Sequence, residues 1–307
     1  MKTDSILEKV LASGNLAVTS ECGPPRGAVP EKIKEKGDLL RGVVDAVNVT
    51  DNQTAMVRMS SFAASVFLKQ MGLHPVLQMV TRDRNRLAMQ ADIIGAYSHG
   101  IDTMLCLSGD HPHFGDHPMA AGVHDIDSIQ FIRMVKNMRD EGTFQGGADI
   151  ENPPRMFIGA AANPFADPFE LRVARLAKKV AAGVDFIQTQ CIYNLDKFEK
   201  WMDGVRARGL HEKCYILAGI TPMKSAAMAR YMKNKVPGMD VPDEVVNRMA
   251  GVPKEKQAEE GINVCVESIQ RLKEVRGVAG FHIMAIEWEK KVPEIVERAG
   301  LLPRPLV

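Results

Sequence analysis

Eight times along the chain a short apolar run ends abruptly in small or polar residues, and amphipathic helical stretches separate the runs. The fourth is the clearest, with Met104-Leu105-Cys106-Leu107 leading through Ser108-Gly109 to Asp110. A strand buried on both faces reads as an unbroken apolar run, so the first carboxylate marks where the chain leaves the core. Residues 16–20 run likewise into Glu21, residues 43–49 into Thr50 and Asp51, and residues 75–80 into Thr81-Arg82-Asp83. Residues 156–161 lead to Asn163, 184–189 to Gln190, 214–219 to Thr221-Pro222, and 278–283 toward Glu287. Strands alternating with helices predict a parallel sheet with crossover helices. Eight such units in 307 residues predict an α/β fold, one (β/α)8 TIM barrel occupying 1–307 as a single domain. The seventh and eighth runs are separated by far more chain than one helix needs, which predicts extra helices at the barrel mouth.

Hydrophobic residues at 45% and charged residues at 25% allow a large core. A net charge of +1 gives no electrostatic footprint for nucleic acid or an anionic membrane. The first eight residues carry charge where a signal peptide needs an apolar run, and no later segment approaches a membrane span. A cytoplasmic protein is expected. Five cysteines are scattered singly with no C-x-x-C pair, so reduced thiols are expected rather than a zinc or iron-sulfur site. His111, His113, Asp116 and His117 are metal-ligand types, but Pro112 and Pro118 interrupt any element that would aim them together. That stretch reads as a loop over the pocket.

Barrel active sites are built where strands end, so Glu21, Thr50, Asp83, Asp110, Asn163 and Gln190 should converge. Glu21 precedes Pro24-Pro25, which stiffen its loop and suit it to hold a catalytic acid. Residues 52–71 are apolar and long enough for a covering helix. Asp51-Asn52-Gln53-Thr54 would cap it or offer free N–H groups to a ligand phosphate or carbonyl. Arg172, Arg175 and Lys179 are spaced i, i+3 and i+7 on one helix face, where they could meet a diphosphate or simply be solvated. Two carboxylates beside neutral hydrogen-bonding groups suit proton transfer to a polar heterocycle without naming one.

The chain resembles the methylenetetrahydrofolate reductase family in six short motifs that occur in order. They are Glu21-Cys22-Gly23-Pro24-Pro25, Val49-Thr50, Leu107-Ser108-Gly109-Asp110-His111-Pro112, Thr189-Gln190, Gly219-Ile220-Thr221-Pro222 and Phe281-His282. The resemblance implies flavin-dependent reduction of 5,10-methylenetetrahydrofolate to 5-methyltetrahydrofolate in one-carbon metabolism. It implies Glu21 as the general acid that opens the imidazolidine ring, Asp110 beside flavin and pterin, and Gln190 on the folate. Thr50, Asp51, Gly109, Asn163, Arg172, Arg175 and Lys179 would hold the flavin.

Three departures from the family pattern bear on the cofactor. Cys22-Gly23 replaces two bulky residues, Ser108 stands where Arg is common, and Asn163 stands where an aromatic often packs on the flavin. FAD is expected, with FMN as the alternative. NAD(P)H is one electron source. Met223-Lys224-Ser225-Ala226, however, lacks the aromatic that stacks on a nicotinamide in NAD(P)H-using members. A separate iron-sulfur subunit or ferredoxin is therefore the expected donor, and homo- and hetero-oligomers both remain open. Two other function classes fit the strand ends: a pterin-binding methyltransferase barrel without a redox cofactor, and a non-catalytic folate-binding subunit.

Overall fold

The computed structural model describes residues 1–307. Eight parallel strands close into a barrel in sequence order: β1 Ala17–Cys22, β2 Ala46–Val49, β3 Pro75–Val80, β4 Thr103–Leu107, β5 Phe157–Ala162, β6 Phe186–Cys191, β7 Tyr215–Ile220 and β8 Val278–Ile283. β8 closes on β1 through the register Thr19↔His282. The helices are α1 Ile6–Ala12, α2 Pro30–Leu40, α3 Ser61–Gln70, α4 Arg86–Ser98, α5 Ser128–Asp140, α6 Glu170–Ala182, α7 Leu195–Ala207, α8 Ala226–Lys235, α9 Asp243–Ala250, α10 Gln257–Lys273 and α11 Val292–Arg298. None is long and apolar enough to cross a membrane.

α1 plugs the lower end of the barrel. Leu7, Val10 and Leu11 pack on Ala17, Ala46, Val76, Leu105, Phe157, Phe186 and Leu217. Ser5 caps this helix through the Glu8 N–H and bonds the Thr103 hydroxyl at 2.7 Å, tying the plug to β4. Phe157 and Phe186 stack with ring centroids 5.1 Å apart. Gly159 makes that possible, because a Cβ there would lie 2.2 Å from the Phe186 ring. A second, larger core fills the space between the strands' outer faces and the surrounding helices. A third packs α8, α9 and α10 around Cys191, Tyr193 and Met223. The segment between β7 and β8 thus lies over the β5 and β6 loops, where Asn163 donates to the Gly238 carbonyl and Lys197 pairs with Asp240.

A buried ion pair fastens the carboxyl-terminal segment under the barrel. Asp45 accepts the Val18 N–H at 2.7 Å and two bonds from Arg304, whose guanidinium also donates to the carbonyls of Leu16 and Leu301. The Asp45 side chain is 2% exposed. Removing one partner leaves a buried charge without compensation, at a cost of about 3–5 kcal/mol. Arg304→Leu is therefore expected to lower the denaturant midpoint substantially at unchanged slope, measured by urea unfolding.

The strand expected at 43–49 begins only at Ala46, because Asp45 is turned into that ion pair. The helix expected over 52–71 forms only from Ser61, with Ser60 as its cap. Ahead of it Asn52, Thr54 and Ala55 take left-handed backbone around a single 3-10 turn. Their polar groups bond sideways instead of along a helix: Asn52 to Asp83 and to the Arg58 N–H, and the Thr54 N–H to Asp110. The longest stretch outside helices and strands is 108–127, broken only by a 3-10 turn at Pro112–Phe114. Within it Gly115 sits against the Ala55 backbone so closely that a Cβ would lie 1.8 Å from the Ala55 oxygen. The loops after β2 and β4 are thus folded onto each other above the barrel.

Candidate active site

Alternation along the strands sends Thr19 and Glu21, Asn48 and Thr50, and Gln188 and Gln190 into the barrel in pairs two residues apart. Together with His282 they make a polar middle layer under the mouth, and their bonds form one chain. Asn48 donates to the Gln188 oxygen at 2.7 Å, and Gln188 donates back to the Asn48 oxygen at 3.0 Å. Gln188 also donates to the Thr19 hydroxyl at 3.1 Å, and that hydroxyl meets His282 Nδ1 at 2.9 Å. His282 Nε2 faces Glu21 Oε1 at 3.7 Å, a charge contact longer than a hydrogen bond. All four residues beneath Glu21 are buried, whereas the Glu21 side chain is 16% exposed. The carboxylate therefore stands at the boundary between a fixed polar interior and the mouth.

Glu21 opens onto a cleft of about 50 Å³ shared with Gly23, Lys36, Arg58 and Glu289. Glu289 holds Lys36 at 2.6 Å. Cys191 lies near enough to feel the Glu21 charge: burial first, and that carboxylate second among the raising influences, push its thiol up to about 12. Its neighbour Gln190 folds its side-chain oxygen onto the Cys191 N–H at 3.0 Å, which leaves the Gln190 amide nitrogen free to donate. The register between β6 and β7 shifts between Gln188 and Cys191, at Gln190's own position in the strand.

Across the mouth Asp110 is exposed, and its carboxylate accepts the Thr54 N–H at 3.0 Å. Arg82, 2% exposed, donates to the Asp110 carbonyl, the Asn52 carbonyl and the Asp83 carboxylate, so one guanidinium sets the rim of β2, β3 and β4. Sequence reasoning singled out Asp83 at this strand end and assigned no role to Arg82. Gly109 has φ +84, and a Cβ there would lie 3.0 Å from Val80 and 3.2 Å from the Arg82 guanidinium, so only glycine fits.

The third group lies at β5 and α6. Lys179, 7% exposed, donates to the Ala161 carbonyl at 2.5 Å, and with Arg172, Arg175 and Asn163 it lines a cleft of about 70 Å³. Burial, and then the neighbouring Arg175, lower the ammonium to about 8. No acid lines this cleft. Lys179 is thus a buried cation whose hydrogen-bond partner is a carbonyl, with Arg172 and Arg175 on the same cleft.

The expected residues therefore do not form one cluster. Glu21, Gln190 and Thr50 face the barrel axis, Gly109 and Asp110 form the opposite rim, and Arg172, Arg175 and Lys179 form a cationic cleft beside β5. Three expected cofactor contacts are engaged elsewhere, one of them Arg172, whose guanidinium donates to the carbonyls of Asp167 and Pro168. The Asp51 carboxylate is fully buried, accepting the Val80 N–H and pairing with Arg84, so it braces β2 against β3. The Asn163 oxygen takes the N–H groups of Phe165 and Ala166, and its amide goes to Gly238. Thr50 differs from all three, because its hydroxyl is buried with no hydrogen-bond partner. No three His, Cys, Asp or Glu side chains converge in metal-ligand geometry.

Comparison with known proteins agrees with the barrel and extends it. The family model described as "Methylenetetrahydrofolate reductase" matches residues 6–300. Methylenetetrahydrofolate reductase 2 of Schizosaccharomyces pombe is 25% identical over 323 residues, covering 99% of this chain and 48% of that protein. Methylenetetrahydrofolate reductase 2 of Saccharomyces cerevisiae is 27% identical over 219 residues, covering 68% and 33%. The "Methylenetetrahydrofolate reductase (NADH) 1" of Arabidopsis thaliana is 25% identical over 213 residues, covering 67% and 34%. The chain spans about half or less of the length of these relatives. A solved structure of an uncharacterized Clostridium thermocellum protein that binds two copies of 5-methyl-5,6,7,8-tetrahydrofolic acid superposes with a TM-score of 0.63 at 13% identity. The match covers 96% of this chain and 98% of that one, and at that identity it shows the shared fold.

Proposed function

The chain belongs to the methylenetetrahydrofolate reductase family, and from that premise we propose that it reduces 5,10-methylenetetrahydrofolate to 5-methyltetrahydrofolate with a bound flavin. The observation that carries the reading is Glu21, a carboxylate at the barrel mouth backed by a buried histidine and reachable from solvent. As general acid Glu21 delivers a proton to N10 of the substrate, the C–N10 bond of the imidazolidine ring breaks, and a 5-iminium cation remains. Gln190, with its amide nitrogen free, donates to the pterin. Asp110 supplies negative charge on the opposite rim, where it favours the cation.

Two features of the chain support a flavin. The unpartnered Thr50 hydroxyl suits the polar edge of an isoalloxazine, and the acid-free cleft of Arg172, Arg175 and Lys179 suits a phosphate or diphosphate. When bound, the flavin supplies the hydride that reduces the iminium carbon; the protein's part is alignment and charge. FAD is the first choice and FMN the second. The commitments of Asp51 and Asn163 narrow the proposed flavin contacts to Thr50, Gly109, Asp110, Arg175 and Lys179, with Arg172 on the same cleft but already donating to the Asp167 and Pro168 carbonyls.

A separate iron-sulfur protein is the proposed electron donor. After β7 the chain turns Met223 fully into the α8–α10 core and Lys224 stands over the Trp288 ring at 5.9 Å, so residues 223–226 themselves present no aromatic face, and the exposed Tyr231 lies farther along α8. Stacking on a ring commonly contributes about 0.5–1.5 kcal/mol beyond area burial, and its loss weakens a nicotinamide site. All five cysteines are free, buried and dispersed, so in this reading the cluster belongs to the donor protein.

One anaerobic experiment tests the reading. The purified chain is expected to show an oxidised-flavin spectrum, and bound flavin reduced by dithionite should be reoxidised by 5,10-methylenetetrahydrofolate. NADH should bleach the flavin more slowly than folate turnover, whereas a reduced ferredoxin should match it. A chain that takes up no flavin on reconstitution would remove the reductase reading; bleaching by NADH at turnover rate would remove only the partner.

A further inference from the structure

The polar layer beneath Glu21 has a direction, and that direction has a chemical consequence. Gln188 carries two amide hydrogens, and both are used, one on the Asn48 oxygen and one on the Thr19 hydroxyl. The Gln188 oxygen is occupied by the Asn48 amide at 2.7 Å, which pins the orientation of both amides to each other. Thr19 Oγ1 is thereby an acceptor toward Gln188, and its own hydrogen has two places to go. One is His282 Nδ1 at 2.9 Å, and the other is the Phe281 carbonyl at 3.5 Å. The shorter contact makes His282 Nδ1 an acceptor, so the neutral imidazole carries its hydrogen on Nε2, the nitrogen that faces Glu21.

We propose that the buried Asn48–Gln188 amide pair acts through Thr19 to hold His282 as the Nε2–H tautomer, so that an N–H donor is aimed at Glu21. Asn48 and Gln188 are positioning residues: neither reaches the mouth, and both are buried. They lie on β2 and β6 and meet inside the barrel, so the device spans its interior, from Asn48 and Gln188 through β1 to β8. Hydrogen-bond chains in a low-dielectric interior polarise cooperatively, and each member fixes the donor sense of the next. The importance of this for catalysis rests on the reading of Glu21 as the acid. A histidine held as the Nε2–H form presents Glu21 with a donor of fixed direction, whereas a ring free to exchange tautomers would present a donor or a lone pair by turns. The Phe281 carbonyl gives the Thr19 hydroxyl a second resting place, which it would need whenever Nδ1 carried a hydrogen.

Turning both amides over would reverse every donor in the chain, and tautomers are directly readable. In 15N-histidine-labelled protein, with the His282 signals assigned by their loss in His282→Asn, long-range 1H–15N correlations of the neutral ring should show Nε2 protonated and Nδ1 bare. Gln188→Glu keeps the shape but leaves only acceptors facing Thr19. The hydroxyl must then donate to residue 188 and accept from His282, so the tautomer should reverse to Nδ1–H. Folate turnover should fall on the order of 10-fold at unchanged flavin content, as expected for a weakened acid-base contribution. If Gln188→Glu does not fold, Thr19→Val removes the hydroxyl at constant shape and should release His282 into a mixture of tautomers. Thr19→Ser should restore the single Nε2–H form. Nδ1–H in the wild type, an unreversed tautomer in Gln188→Glu, or a pure Nε2–H form in Thr19→Val would each overturn the proposal. A wild-type Nε2–H tautomer in a protein that does not reduce folate would overturn the functional reading and leave this one standing.

Discussion

Glu21→Gln is expected to lose about 10²–10⁴-fold in folate reduction while keeping its flavin and its ability to accept electrons from an artificial donor. The substitution is nearly isosteric, and nothing in the barrel's packing depends on the charge. Glu21 has no hydrogen bond to the protein within normal length, and its nearest ionisable partner is His282 at 3.7 Å. The amide cannot deliver the proton that opens the substrate ring, so the loss should fall on turnover rather than on flavin content. Stopped-flow measurement of the reduced enzyme mixed with 5,10-methylenetetrahydrofolate separates the two half-reactions. Reoxidation within a few-fold of wild type would remove Glu21 from the acid's role.

Lys179→Met should weaken flavin binding and stabilise the flavin-free protein at once. Loss of a charge-assisted contact to a phosphate is worth about 1.5–3 kcal/mol, on the order of 10- to 150-fold in Kd. The stability effect has the opposite sign. Burial, and then Arg175, lower the Lys179 ammonium to about 8 from an ordinary 10.5, so the folded protein resists the charge that the unfolded chain accepts. That penalty is fully present below about pH 8 and fades as pH rises from about 8 toward 10.5, where both states lose the proton. Removing the charge should therefore raise stability at pH 7 by about 1–3 kcal/mol. A bound phosphate would favour the charged form, so binding above pH 8 should take up a proton and affinity should fall as pH rises through about 8. Flavin titrations at pH 7 and 9, with thermal melts of both proteins, check each sign; a variant that is destabilised yet binds flavin normally would place the phosphate elsewhere.

The barrel was legible because its signal is repeated and physical. Buried parallel strands must be apolar on both faces, and β3 and β8 were bounded to the residue by that rule. Where the expectation slipped, polar residues were the cause. β1 and β6 continue through Glu21 and Gln190, which were expected just beyond the strands, since an inward-facing polar side chain near a mouth does not end a strand. The segment 52–59 looked helical because it continues into an apolar stretch. Its backbone is instead held by Arg82, Asp83 and Asp110, which lie 30 to 56 residues away and leave no mark on local periodicity. Asp51 and Asn163 sit at strand ends like ligand-binding residues, and only the fold reveals that Arg84 and Gly238 have already taken them.

Thr19, Asn48 and Gln188 were missed as a set, although a signal existed. Each lies two residues before an expected site residue, Glu21, Thr50 or Gln190, and therefore on the same inward face. Reading strands by alternation rather than by their last residue would have found three of the four members of the polar layer, with His282 as the fourth.

The same polar layer acts as a proofreading element for strand register. A one-residue slip of β2 would swing Asn48 to the helix-facing side and turn Val47 or Val49 into the interior, leaving Gln188 with an unmatched oxygen and an unmatched hydrogen. Each polar group stranded in that way costs about 1–3 kcal/mol, whereas an aliphatic layer would accept many neighbouring arrangements at small cost. Four side chains from β1, β2, β6 and β8 must therefore agree before the barrel closes. Misthreaded barrels are penalised at the layer on which Glu21 rests, so a chain that closes correctly has, by the same act, assembled the support of its acid.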